Sequence, residues 1–425
     1  MPPIRFIHAA DLHLDAAFSG LSRDIPADFA ERLRTATFTA FRRLLDLCER
    51  ESPDFLLLAG DVYNQEDASV SAQLALRDGF RRLESLSIPV FLVHGNHDPL
   101  ASRLRSVRWP GNVTVFGELP DAVPVFRKGE GTPLAIIHGA SHASGRETRN
   151  LAALFRRTEA CGLHVGLLHA TPGDADGVAR YAPFSQEDLK ASGMDYWALG
   201  HIHDRREVCR EPLAAYPGCT QGLHINEPGE KGCLLVTAEA RPDGGYAVRT
   251  YFRPLGPAVW KTLDMDLGGA ASLDELENRL RTGLDRAAAE VWSGCEMLLV
   301  RLRLQGRTEL DGLLRKGTTC AELADRLRED GSGVPRIWIK DIDVATRPCV
   351  ERGALLERED LLGEVFRLSE AARTASGLQA LREGPLAPLF AHARAGKALE
   401  PLTDEELARL LDDAESLCLD LLEND

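Results

Sequence analysis

His201 and His203 stand two residues apart, directly after Asp195-Tyr196-Trp197-Ala198-Leu199-Gly200. The preceding run is apolar and rich in β formers, so it reads as a buried strand stopped by a glycine. In an extended chain, residues two apart point to the same side, and both imidazoles then face one space at the strand end. Neutral imidazole is a common metal ligand. One ion could take both rings, or two ions could take one each; the pair alone leaves this open. Four further stretches carry donors where strands should end: Ala10-Asp11-Leu12-His13, Ala59-Gly60-Asp61-Val62, His94-Gly95-Asn96-His97-Asp98 and Leu168-His169-Ala170. Together Asp11, His13, Asp61, Asn96, His169, His201 and His203 supply seven donors. Seven donors, one a carboxylate able to bridge, suit two ions roughly 3.5–4 Å apart. Such a pair clamps a phosphate, lowers the pKa of a bound water and stabilises the attacking and leaving oxygens. Mixed His, Asp and Asn ligands without thiolate favour manganese, iron or zinc over calcium or magnesium. The expected cofactor is therefore two divalent ions, manganese first, with iron, zinc and magnesium behind it. His97 is left over beside Asn96 on a tight glycine-containing turn. It can reach the substrate without binding metal, to contact the phosphoryl group or protonate the leaving oxygen.

Donors from five strand ends meet only if a sheet brings those ends together. The first half of the chain alternates strand-like and helix-like segments. Strands are expected at Ile4–Ala9, Asp54–Ala59 and Pro89–His94, then at 113–116, 134–139, 164–169 and 194–200. Helical spacing runs over Ala27–Glu49 and Ser71–Leu86. This order predicts a layered α/β domain with helices on both faces. In open α/β sheets, ligands bind outside the carboxyl ends of the strands, where these motifs lie. From about residue 205 the helices stop, Ala215-Tyr216-Pro217-Gly218 reads as a turn, and Gly232–Ala238 and Tyr246–Arg253 form a strand pair. Pro254-Leu255-Gly256-Pro257 reads as a linker. Beyond it, Val259–Met265, Ser272–Glu290, Glu296–Leu304, Cys320–Glu329 and Arg336–Val344 read strand, helix, strand, helix, strand: a small α+β domain. Residues 355–425 are expected to be helical, with a break near Gly384-Pro385.

A chain of 425 residues is too long for one core and should hold two or three domains. No run of 18 apolar residues occurs, so no membrane span is expected. Met1-Pro2-Pro3-Ile4-Arg5-Phe6-Ile7-His8 has no basic start or long apolar stretch and is not expected to be a signal peptide. The nine cysteines are scattered without a C-x-x-C pair, which suits free thiols in a reducing cytoplasm. A net charge of −15 argues against nucleic acid at first sight. The charge is uneven. Residues 351–425 hold 17 acidic and 8 basic side chains, a net of −9, which leaves −6 for residues 1–350. Acids that bind divalent cations invert the field around them, so acidity weakens a nucleic-acid reading without removing it.

Taken in order, D-x-H, G-D, G-N-H-D, H and G-H-x-H over residues 4–204 resemble the calcineurin-type metallophosphoesterases. Within them, "FIHAADLHLD", "LAGDVYN", "VHGNHDP", "DYWALGHIH" and "YPGCTQGLHINEPGEKG" resemble the SbcD-type DNA repair exonucleases, in particular their YhaO-like branch. The resemblance implies a four-layer α/β sandwich of two sheets flanked by helices. It implies a nuclease domain over 1–254, an α+β capping domain that selects DNA over 255–350, and a helical region over 351–425. It implies that Asp11, His13, Asp61 and His203 hold one ion and that Asp61, Asn96, His169 and His201 hold the other, with Asp61 bridging. His201 and His203 would then serve different ions. It implies two-metal hydrolysis of DNA phosphodiesters by exonuclease and endonuclease action in cytoplasmic repair. The expected partners are DNA, an SbcC-like coiled-coil ATPase gripped by the C-terminal helices, and a second copy of the chain. One departure stands out: some members carry a second histidine where this chain has Asn64, and a neutral amide cannot deliver a proton at neutral pH.

Two other functions use the same residues. A phosphodiesterase for nucleotides or small phosphoesters would share the centre, with residues 255–345 closing it into a small pocket. A scaffold without activity would keep the fold and lose a metal. Among the remaining groups, Asp98 reads as a turn or supporting residue, and His8, His94 and His164 as packed or hydrogen-bonded core. His138 and His142 have ligand-like spacing that the metallophosphoesterase pattern leaves unused. Leu407, Leu410, Leu411, Leu417, Leu421 and Leu422 form apolar stripes, either a self-packed subdomain or a docking face.

Overall fold

The computed structural model describes residues 2–21, 25–64, 69–101, 107–127, 129–173, 180–242, 244–329, 333–349, 352–391 and 402–422. The first twelve strands are β1 (Ile4–Ala9), β2 (Phe55–Ala59), β3 (Val90–Val93), β4 (Val113–Val115), β5 (Asp121–Val125), β6 (Ala135–Ala140), β7 (Leu163–His169), β8 (Tyr196–Gly200), β9 (Arg206–Arg210), β10 (Leu213–Tyr216), β11 (Gly232–Ala240) and β12 (Tyr246–Pro254). They form two six-stranded sheets, in the orders β12-β11-β1-β2-β3-β4 and β5-β6-β7-β8-β10-β9. Helices α1 (Ala27–Arg34), α2 (Ala36–Glu51), α3 (Val70–Ser85) and α4 (Gln186–Ala191) flank them. The expected single helix over Ala27–Glu49 is split at Thr35, whose φ of −97° and ψ of 1° end α1 and start α2.

The two sheets pack face to face through Phe6, Phe55, Phe91, Phe116, Val165, Leu167, Tyr196 and Leu234. The outer face of the first sheet is covered by Phe41, Leu44, Leu45, Leu76 and Phe80 of α2 and α3. The outer face of the second carries Trp197 and Leu199 against Leu189 of α4 and Phe155. Layers therefore run helix, sheet, sheet, helix, as expected for a metallophosphoesterase sandwich. β1, β2 and β3 are parallel neighbours, so their carboxyl ends align. β7 and β8 are parallel too, with His169 beside Gly200. This alignment gathers the five motifs.

His8 links the sheets. Its Nδ1 accepts from the Tyr196 hydroxyl at 2.9 Å and its Nε2 donates to the Leu199 carbonyl at 3.1 Å. Burial pushes this imidazole down to about 3, with the bond to Leu199 opposing. A depressed folded value means that the unfolded chain takes up the proton first. Stability from neutral His8 is complete above pH 6.5 and is lost as pH falls from 6.5 toward 3. Acidifying the metal-free protein from pH 7 to 5 should cost about 2 kcal/mol at this one site. Urea unfolding of the wild type and of His8→Gln at both pH values tests this: the variant should lose that much less stability on acidification. Equal losses would remove His8 as the cause.

Beyond the sandwich, β13 (Ala258–Asp266), β14 (Met297–Thr308) and β15 (Arg336–Pro348) form a three-stranded sheet in that order, with α5 (Leu273–Glu290), α6 (Asp311–Leu314) and α7 (Thr319–Glu329) between strands. By packing, the chain divides into two compact units, Met1–Asp266 with Glu277–Leu304 and Leu314–Ala345, and Leu267–Leu276 with Gln305–Leu313 and Thr346–Asp425. In the first unit, Ala258, Trp260, Met297, Leu299 and Trp338 of the third sheet share a core with Phe29 and Leu33 of α1. The second unit holds α8 (Arg352–Leu356), α9 (Leu361–Ala372), α10 (Ala375–Glu383), α11 (Ala387–Ala391) and α12 (Asp404–Leu422). Leu355, Leu362, Phe366 and Leu419 form its core, and Arg352 pairs with Glu415 at 2.6 Å and Glu370 at 2.7 Å. The rest of the predicted helical region, 392–401 and 423–425, lies outside the described residues.

Candidate metal centre

Three of the five motifs leave their strands by a sharp turn. Asp11, His13, Asp61 and His201 have φ of 50°, 40°, 49° and 105°, a region that side-chain-bearing residues rarely occupy. Such conformations cost on the order of 1–3 kcal/mol each and persist where surrounding structure enforces them. Here the enforcement is visible. The Asp11 amide donates to the Gly60 carbonyl at 3.1 Å, and the His13 amide to the Asp61 carbonyl at 3.0 Å. The His201 amide donates to the Asp11 carboxylate at 3.1 Å. Two glycines permit the close approach. A Cβ on Gly60, whose φ is +88°, would lie 2.5 Å from His169 Nδ1; one on Gly200 would lie 1.8 Å from the Ala59 carbonyl oxygen.

The side chains meet in two groups, each with ligand atoms within 4.8 Å of one another: Asp11, His13 and His203, and Asp61, His169 and His201. Asn96 joins the second group, its Oδ1 3.0 Å from His169 Nε2 and 3.1 Å from His201 Nδ1. His201 and His203, two apart in sequence, therefore fall into different groups. All seven predicted donors are brought together, and Asp11, Asp61 and His169 are fully shielded from solvent.

Protonation explains why these groups need cations. His13 Nδ1 faces the Asn64 Oδ1 at 2.6 Å, so Nδ1 carries the proton and Nε2 the lone pair. His203 Nδ1 donates to the Glu227 carboxylate, which turns Nε2 toward His13. The two Nε2 atoms lie 3.1 Å apart, with the Asp11 Oδ1 3.9 Å from His203 Nε2. Burial would depress His203, but Glu227 and Asp11 outweigh it and raise it above the ordinary imidazole range, so a proton shared between the two rings stands where a cation would. In the second group, His169 Nδ1 donates to the Ala59 carbonyl at 2.9 Å, and its Nε2 faces Asp61 Oδ2 at 3.2 Å. Burial alone would depress His169, but Asp61 and Asp11 outweigh it and raise it to about 9. Burial works against the Asp61 anion as well, yet His169 and His13 hold it well below the usual carboxylate range. A proton on His169 occupies the place that a cation would take. The donor set fits two divalent ions, which Asp11, His13 and His203 would hold on one side and Asp61, Asn96, His169 and His201 on the other.

His97 stands apart. Its amide donates to Asp61 Oδ1 at 2.9 Å, while its ring is exposed and lies edge-on to His13, centroids 5.2 Å apart. Asp98 is buried and accepts from Val62 at 3.1 Å and Gly95 at 2.7 Å, so it ties the loops rather than facing a metal. His94 faces Asp98 at 3.3 Å. His142 Nε2 donates to the His169 carbonyl at 2.6 Å, and His138 pairs with His164 at 3.0 Å. Sequence reasoning missed Glu227. Burial would raise its carboxyl, but His203 holds it down to about 2. It fixes the ligand's tautomer and orientation, an arrangement common behind metal-bound histidines. Asn64 plays the same part behind His13. Cys219 also lies within reach of His203 and Glu227, and burial raises its thiol well above the usual range.

Residues 4–205 match the family described as calcineurin-like phosphoesterase, and residues 260–347 match that described as metallophosphoesterase YhaO, middle domain. The uncharacterized metallophosphoesterase YhaO of Bacillus subtilis is 34% identical over 90% of this chain and 91% of its own. The DNA double-strand break repair protein Mre11 of Aeropyrum pernix is 26% identical over 68% of this chain and 69% of its own. That of Haloferax volcanii is 24% identical over 87% and 78%. Among solved structures, a dimetal phosphatase from Danio rerio covers 59% of this chain and 100% of its own, with 13% identity and a TM-score of 0.33.

Proposed function

The chain belongs to the calcineurin-like metallophosphoesterases, with a YhaO-like relative along nearly its whole length, and from that premise we propose that it is a two-metal DNA nuclease. The observation that carries the chemistry is the pair of adjoining donor groups with the exposed His97 ring beside them. When bound, two divalent ions supply Lewis acidity to a phosphoryl oxygen and a nucleophile from water at neutral pH. The chain's residues do the rest. Glu227 and Asn64 hold His203 and His13 with their Nε2 atoms inward. The His97 ring delivers a proton to, or hydrogen-bonds, the oxygen that leaves. Asp61 is the bridging ligand in this reading. The similarity to Mre11 proteins supports DNA as the substrate, and manganese is the ion we would supply first. The nine cysteines are free thiols, which fits the cytoplasm. No described helix is long and apolar enough to cross a membrane.

Hydrolysis of DNA with defined ends in manganese, with and without a coiled-coil ATPase of the SbcC type, tests the reading. A second reading, a phosphodiesterase for nucleotides or small phosphoesters, is favoured by the net charge of −15. It would be established by turnover of dinucleotides and small diesters with none of DNA.

We assign residues 255–350 as the cap that selects DNA and the second unit's helices as the seat of the ATPase. Leu361, Leu368, Leu417 and Leu421 are exposed on α9 and α12. Deleting residues 355–425 should spare hydrolysis of bis-p-nitrophenyl phosphate and abolish co-elution with the ATPase. Every proposed ligand precedes residue 204, and a segment of net charge −9 repels phosphates rather than binding them. Co-elution that survives the deletion would refute the docking role.

A further inference from the structure

Two residues beyond the proposed ligand His203, Arg205 and Arg206 border a pocket of about 220 Å³ at one end of the sandwich. The pocket lies between strands of both sheets. Arg206 pairs in register with Tyr216 at the end of β10, and Phe252 on β12 pairs with Leu234 on β11. The Arg205 guanidinium lies 4.1 Å above the Phe252 ring and that of Arg206 lies 5.6 Å from the Tyr216 ring. Stacking on a ring holds a guanidinium in place and leaves its N–H edge free to donate. Among the described residues, neither guanidinium makes a hydrogen bond or an ion pair. Glu207, the carboxylate on the same wall, pairs with neither. Unpaired and adjacent arginines are notable in a chain of net charge −15.

The link to the metal centre is short and fixed. Lys231 Nζ donates to the His203 carbonyl and to Asp204 Oδ1, both at 3.0 Å. Two extended residues span at most roughly 7 Å, so Arg205 starts within that distance of the ligand. The Tyr216 hydroxyl reaches back to the carbonyl of Ala170, next to His169, at 2.6 Å. Two fixed, unpaired forks beside a phosphodiester-cleaving centre have the chemistry of a phosphate clamp.

We infer that Arg205 and Arg206 form a subsite for a phosphate of the substrate strand other than the one being cleaved. The inference rests on the nuclease reading above and adds to it a grip on a neighbouring phosphate. A small diester has no second phosphate and does not use the subsite; a strand does.

The test compares the full-length wild type with Arg205→Ala/Arg206→Ala on bis-p-nitrophenyl phosphate and on a single-stranded oligonucleotide. The variant should hydrolyse the small ester at the wild-type kcat/KM and the oligonucleotide with a KM raised about 10-fold or more. The slope of log KM against log salt should fall by about 0.7, one phosphate contact at the single-strand value. Arg205→Lys/Arg206→Lys should keep that slope and recover part of the KM. If the wild type cleaves the oligonucleotide and the alanine variant does so equally well, the subsite is refuted while the nuclease reading stands. If the wild type cleaves only the small ester, the nuclease reading fails and takes the subsite with it. If the variant loses both activities, the arginines serve the centre or the fold, and a separate subsite is excluded.

Discussion

Replacing His97 with alanine is expected to leave both metal ions bound and to cut phosphodiester hydrolysis about 10²–10⁴-fold, the usual worth of a positioned general acid. Three features combine in this expectation. The His97 amide already serves Asp61, and a backbone bond survives a side-chain change. The ring belongs to neither group of clustered donors. It is exposed and edge-on to His13, where a substrate oxygen could meet it. Metal analysis and turnover of bis-p-nitrophenyl phosphate separate the effects. Two ions with little turnover is the expected pair. A lost ion would make His97 a ligand, and near-normal turnover would remove it from the reaction.

Asp61→Asn should strip more metal than His203→Ala, and Glu227→Gln should weaken metal affinity least, on the order of 10–100-fold. Asp61 is the carboxylate assigned to both ions, whereas His203 serves one and Glu227 acts only through His203. The isosteric amide keeps the volume and removes the charge. His169, raised to about 9 chiefly by Asp61, then loses the anion that made its position favourable for a cation. Hydrolysis should fall below detection in Asp61→Asn and recover in part with excess manganese in Glu227→Gln. Equal metal losses in Asp61→Asn and His203→Ala would sink the bridging assignment. Unchanged affinity in Glu227→Gln would mean that the bond to His203 does not matter for binding.

The seven donors were legible because each lies at or just beyond the end of an apolar strand, and Asp61, Asn96 and His201 also follow a glycine directly. Sheet geometry then brings them together without further information. Glu227 was not legible. It lies 24 residues beyond His203 in an irregular loop; it falls within the quoted stretch YPGCTQGLHINEPGEKG, but neither periodicity nor spacing there singles out its carboxylate as a partner of His203. The two edge strands of the second sheet were missed for another reason. β5 reads Asp-Ala-Val-Pro-Val and β9 reads Arg-Glu-Val-Cys-Arg, and strands at a sheet's edge carry proline and charge that interior strands exclude. The turn expected at Ala215-Tyr216-Pro217-Gly218 begins two residues later, because Ala215 and Tyr216 finish β10. The small α+β domain was read in the right order because its alternation of period is strong, but its shared core with α1 depends on contacts across more than 200 residues.

β1 lies between β2 and β11 and pairs Ile4 with Ala238. Its second neighbour is thus made some 230 residues after it. At roughly 5–20 residues per second, β1 waits tens of seconds on the ribosome for that partner. Until β11 arrives, β1 is an open edge beside β2. The centre waits too, since the Asp11 carboxylate accepts from the His201 amide, 190 residues on. Metal loading is therefore expected as a late event of biosynthesis that coincides with closure of the first sheet. A nascent chain arrested before residue 240 should bind manganese weakly, and one arrested well beyond it should bind as the finished protein does.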